Sequence, residues 1–291
     1  MSHAETKLYG LLDGARYPEA LGPFVLEFAS EVRSLFDGLP EEEAGYAAPF
    51  LVQIDDASAD WVKQIDTMDQ FNPCMTLIRS KHEIDGLCAH LRCFLIADIG
   101  DDMTALVRYF DPRVLPALLD VWDRRVLALL TSPMETWLYR GHASEWIKVN
   151  VEGLKGFSSP EPIAITLSAE QIDELERRCD LDAVVETLTD LGEMDADTPY
   201  ADRYGALEPM YRRALRWGLA NTRDRMTFCS FCLRYGSAFD QQSHVKDVIE
   251  MAVRESCPLE DLLQTLPQYV WERLARRNEV RGATADTEAG T

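Results

Sequence analysis

The chain has no apolar run approaching the roughly 20 residues that a membrane span needs, and its leading residues, Met1–Lys7, are polar. No secretory leader or anchor is therefore expected, and the reading is a soluble, cytoplasmic protein. Positive charge is also scarce: 29 Lys+Arg stand against 50 Asp+Glu, a formal charge of −21. Nucleic acid and anionic leaflets need clustered Lys/Arg, so neither is an expected partner. Seven cysteines is an odd count and, with no signal peptide expected, they read as reduced thiols rather than a disulfide framework.

Reactive motifs are missing too. The five histidines (His3, His82, His90, His142 and His244) are scattered, and none forms the paired-histidine zinc helix. No nucleophile elbow occurs, and Gly153-Leu154-Lys155-Gly156 lacks the spacing and the Ser/Thr of a phosphate loop. Asp190–Asp197 lacks the alternating ligands and central glycine of a calcium loop. Cys229 and Cys232 stand two residues apart inside a helical pattern with no strand before it, and read as core packing. No catalytic residue, metal ligand or cofactor site is assigned. Carboxylates are abundant, so a hydrolase using a carboxylate or His90 remains the alternative class, with a small-ligand module in a cleft between lobes as a third.

What is present is a core-forming chain: 291 residues, 46% hydrophobic, enough for one large or two modest domains. Strands are predicted at 8–12, 49–54 and 74–79, with helices at 21–36 and 83–92. Phe94–Ala97 and Leu106–Phe110 flank Gly100-Asp101-Asp102 as a hairpin. Asp111-Pro112 should open a helix through Val126, with Asp111 as its N-cap, worth about 1 kcal/mol, and Arg113 folded back onto a carboxylate or carbonyl. Strands at 136–139 and 146–151 follow. Trp137 and Tyr139 share one sheet face; with Trp61 and Trp146 they read as core, or else as an aromatic binding platform.

Near residue 155 the composition changes. The fold expected is α+β: an N-terminal mixed α/β lobe with a largely antiparallel sheet (1–155), a linker (156–165), a C-terminal all-helical lobe (166–280) and a disordered tail (281–291). Ser168 and Gln171 fit a capping box. Later helices are expected at 208–220, 222–235 and 243–255, with another from Pro258 that Pro267 breaks. Charge is graded along this half. Residues 166–200 hold eleven acids against two arginines, whereas residues 201–250 hold six acids against eight bases. Both the acidic stretch and the arginines at 212, 213 and 216 read as solvated faces, with partner contact as the sharper alternative.

Four strings in order carry a family resemblance. They are Tyr9-Gly10-Leu11-Leu12-Asp13-Gly14-Ala15, Pro49-Phe50-Leu51-Val52, His90-Leu91-Arg92, and Arg108-Tyr109-Phe110-Asp111-Pro112-Arg113-Val114-Leu115. Across residues 7–140 the chain resembles the effector chaperones, or adaptors, of bacterial type VI secretion (the Tap or TEC group). The helical half is similar more loosely, through Leu233-Arg234-Tyr235-Gly236 and Phe239-Asp240. The resemblance implies a non-enzymatic protein that binds a cognate toxin effector and promotes its loading onto the VgrG spike. Candidate partner-binding residues under that reading are Trp137, Tyr139, Trp146, Arg212, Arg213 and Arg216.

Overall fold

The computed structural model describes residues 5–154 and 165–276. The expected tail, and all but the last residue of the expected linker, lie outside the described residues. An N-terminal region with a six-stranded antiparallel sheet and helices is followed by an all-helical region. Two compact units result: Met1–Cys179 with Pro199–Ala201, and Asp180–Thr198 with Asp202–Thr291.

The sheet of the first unit runs β2-β3-β1-β4-β7-β8, with β1 at Lys7–Asp13, β2 at Val32–Ser34, β3 at Pro49–Gln53, β4 at Met75–Ser80, β7 at Met134–Arg140 and β8 at Trp146–Lys148. Every pairing is antiparallel. β1 is internal, with Leu11 facing Leu51 on one side and Thr76 on the other. Its residues from Tyr9 on are buried regardless of face, because neighbours cover both sides of the sheet. Helices α1 (Leu21–Phe28), α2 (Asp60–Phe71), α3 (Ile84–Arg92), α4 (Leu115–Val121) and α5 (Arg124–Thr131) complete the unit, with a small hairpin of β5 (Ile96–Gly100) and β6 (Met103–Leu106). Gly14 follows β1 where a Cβ would lie 2.3 Å from the Ala48 carbonyl oxygen, so only glycine fits there.

Three sequence expectations are corrected. The helix expected over 21–36 ends at Phe28. Ala29 turns extended, and Val32–Ser34 become an edge strand against Val52–Phe50, extended by hydrogen bonds from Gln53 N to Glu31 O and from Leu35 N to Pro49 O. Pairing with β3 outweighs a helical apolar spacing that Val32, β-branched, supports only weakly. The helix expected over 114–126 is two: Trp122 is extended, and Asp123 caps α5 by accepting from Arg125 N at 2.7 Å. The hairpin strands sit nearer the turn than expected. Asp101 and Asp102, both at positive φ, make the two-residue turn.

The second unit is built from α6 (Ala169–Asp190), whose first residues belong to the first unit, α7 (Tyr200–Trp217), α8 (Thr222–Tyr235), α9 (Ser243–Glu255), α10 (Leu259–Gln264) and a helix over 268–276. The capping box holds: Ser168 N donates to Gln171 Oε1 at 2.9 Å and Gln171 N to Ser168 Oγ at 3.3 Å. Helix α7 starts eight residues before the expected 208 because it runs through Pro209. Phe228, Phe239, Val245, Ile249, Leu259 and Leu263 form this unit's own core. Among the described residues no helix is long and apolar enough to cross a membrane.

Candidate functional site

The four strings that carry the family resemblance are joined in space. The first pairs with the second along β1 and β3, Leu12 opposite Phe50 and Asp13 opposite Pro49. Asp13, wholly buried, accepts from Arg108 Nη2 at 2.7 Å, which ties the first string to the fourth. The fourth reaches the third through Tyr109, whose hydroxyl donates to Leu91 O at 2.7 Å. These strings therefore hold the unit together.

Asp111 is the hub. It accepts from Arg113 N and Nε, each at 3.0 Å, and from Arg113 Nη2 at 2.7 Å, while Arg108 lies 3.1 Å away. It caps the turn that leads into α4, its carbonyl accepting from Val114 N and Leu115 N, but not α4 itself, which begins at Leu115 with no side-chain cap. Burial would raise the Asp111 carboxyl, but the Arg113 guanidinium and then Arg108 outweigh it and hold it below the usual carboxylate range. Asp13 goes the other way. Burial, reinforced by the negative charge of Asp111, raises it, and Arg108 offsets only part of the rise.

A second buried node sits at Arg140, which donates to Asp69 and Asp66. Asp69 also accepts from Cys74 N at 2.7 Å and Met75 N at 2.8 Å, so it fixes the start of β4. In the second unit, Asp180 accepts from Arg225 Nε at 2.7 Å and from the hydroxyls of Thr222 and Tyr211. Arg113 folds back onto a carboxylate, Asp111, as expected, but sequence reasoning misses the Arg108–Asp13, Arg140–Asp69 and Arg225–Asp180 pairings. Their signal was present in charged residues embedded in apolar strings, which are buried only when paired.

The sequence-derived candidates are placed as follows. Trp137 is fully buried, its Nε1 donating to Thr76 Oγ1 at 3.0 Å, and Tyr139, on the same face of β7, is 9% exposed. Trp146, on the outer strand β8, is 37% exposed, and the Arg140 guanidinium lies 4.6 Å from its ring centroid. Trp61 is partly buried against the core. On α7, Arg212 is exposed and pairs with Glu208 at 2.6 Å, and Arg216 is exposed in the last turn. Arg213 instead faces inward, 3.2 Å from the buried Asp240 and 3.1 Å from Cys232 Sγ. The tryptophans lie in one unit and the arginines in the other.

Several thiols and one imidazole are held in the fold. Burial pushes Cys229 and Cys232 up to about 12 and Cys88 up to about 11. His90 Nε2 lies 3.0 Å from Leu130 O, and burial lowers its pKa. Among the described residues no group of three His, Cys, Asp or Glu side chains could hold a metal ion. Within the acidic stretch 166–200, Asp180 and Asp182 are buried; Glu170, Asp173, Glu176, Asp190, Asp195 and Asp197 are exposed.

The first unit is thus an α/β module whose buried charges tie strands and loops together around a sheet with an aromatic residue on its outer strand. Residues 8–129 match the family described as "Domain of unknown function (DUF4123)", so the chain carries a DUF4123 domain from β1 to within α5. No curated protein and no solved structure matches the chain. The match ends before β7, β8 and the helical unit.

Proposed function

We propose that this protein is a non-enzymatic adaptor that binds a cognate type VI secretion effector and promotes its loading onto the VgrG spike. The observation that carries the reading is the ordered set of four strings resembling the type VI effector chaperones. Three lie wholly inside the DUF4123 domain, and so does the fourth, which runs through Leu115. Their interlocking supports a scaffold role for them and leaves partner contact to other surface.

Physically, an adaptor shields an apolar segment of its client until a second partner accepts the complex, and for that it needs exposed aromatic or apolar area beside polar groups. Trp146, stacked under Arg140 on the outer strand, is the candidate aromatic contact of the first unit. Arg212 and Arg216 are the exposed cations of α7 suited to an acidic partner.

The test is co-expression of the tagged protein with effector candidates and VgrG, followed by affinity capture. Retention of one effector and its VgrG is expected. A well-folded protein that retains neither overturns the reading.

A further inference from the structure

A cavity of about 420 Å³ opens in the first unit between the end of α4, the start of α5, β7 and the chain just beyond β8. That volume lies within the range of small-ligand sites. One wall is apolar, built by Leu119, Leu127 and Leu154.

The polar lining has a bias. Trp122, 4% exposed, contributes ring surface, its indole N–H being buried out of solvent reach. Tyr139 brings a phenol that burial, with Asp120 and Glu145, pushes above its ordinary range, so it stays a neutral donor. Lys148, exposed, adds a cation to the lining. Asn150 Oδ1 already accepts from Gly153 N at 3.0 Å, so its amide hydrogens are what it has left to offer. The lining carboxylate, Asp120, is bonded to Arg178 Nη1 at 2.7 Å. Set in a chain of net charge −21, the cavity presents the donors of Tyr139, Lys148 and Asn150, with Arg124 also in its lining.

We propose that the cavity binds a carboxylate carried on an apolar group, the carboxylate among Tyr139, Lys148 and Asn150 and the apolar body against Leu119, Leu127 and Leu154. A free aromatic or aliphatic acid and the last residue of a polypeptide share this chemistry. The site requires neither an effector nor VgrG, so it stands apart from the adaptor reading and is tested without either partner.

Calorimetric titration of the full chain uses two matched pairs: 3-phenylpropionate against 3-phenylpropanamide, and N-acetyl-Gly-Leu-Phe against its C-terminal amide. At least one acid binds, and its amide binds at least about tenfold more weakly, in line with the loss of one charge-assisted hydrogen bond. Which acid binds identifies the source. Lys148→Met lies on exposed chain, and Tyr139→Phe keeps the ring; each weakens the bound acid severalfold while circular dichroism stays unchanged. Failure of both acids to bind overturns the proposal. So does equal binding of acid and amide, or unaltered affinity in both variants.

Discussion

Asp13 and Arg108 meet at 2.7 Å although ninety-five residues separate them along the chain. The contact ties the end of the internal strand β1 to the Arg-Tyr-Phe-Asp-Pro-Arg segment that leads into α4. Asp111, beside both, completes the cluster with Arg113.

Asp111→Ala tests that cluster. The substitution leaves the Arg113 guanidinium, itself nearly buried, without its carboxylate. Removing one partner of a buried pair costs about 3–5 kcal/mol, far beyond the roughly 1 kcal/mol of a helix cap. Urea unfolding should show the larger loss. A change near 1 kcal/mol would return Asp111 to the role of a local cap.

Asp180 makes stability depend on pH in a defined direction. Burial would raise its carboxyl, yet hydrogen bonds from Arg225, Thr222 and Tyr211 hold it below the usual range. A carboxyl lower in the folded than in the unfolded state stabilises the fold above the unfolded value, about 3.9, and loses that contribution as pH falls through the folded one. Asp180→Asn should therefore lower the urea midpoint at neutral pH, and its deficit should shrink below about pH 4. A deficit that holds constant or grows on acidification contradicts the assignment.

Trp137 and Trp146 should separate packing from surface. Trp137→Ala empties a fully buried site and costs about 3–5 kcal/mol in thermal or urea unfolding. Trp146→Ala removes a partly exposed ring and one cation–π contact, for about 1 kcal/mol or less. If effector capture falls with Trp146→Ala while stability holds, the outer strand is part of the interface. Undiminished capture removes it from the candidates.

The thiols give a readout of burial. Cys93 is exposed, whereas Cys74, Cys229 and Cys232 are buried. Alkylation of the native protein at about pH 8, a little below the unperturbed thiol value, should modify Cys93 and spare those three until denaturant is added. Mass spectrometry locates the label. Native-state modification of Cys229 or Cys232 at the rate of Cys93 would contradict the packing of α8.

Much of the secondary structure was legible in the sequence because local and tertiary preferences agree there. Helices α8 and α9 fall on their expected bounds, and the Ser168–Gln171 box caps α6. Where they disagree, tertiary pairing prevails. Val32–Ser34 carry a helical spacing but take the open edge of β3, and Trp122 interrupts an otherwise continuous apolar pattern so that Asp123 can start a new helix. The candidate surfaces were less legible. Alternation places Trp137 and Tyr139 on one face, but nothing in their spacing reveals that this face is covered. Nor does the run of arginines on α7 reveal that Arg213 turns inward to Asp240.

The position of β1 inside its sheet has a consequence during synthesis. At about 5–20 residues per second, Leu8–Leu12 leave the ribosome seconds before β3 and β4 exist to cover them, and the outer strand β8 arrives after residue 145. A nascent chain in that interval presents an unpaired apolar strand with both edges open, the kind of template that recruits other strands. A protein proposed to shelter another polypeptide thus passes through a stage in which it needs shelter itself.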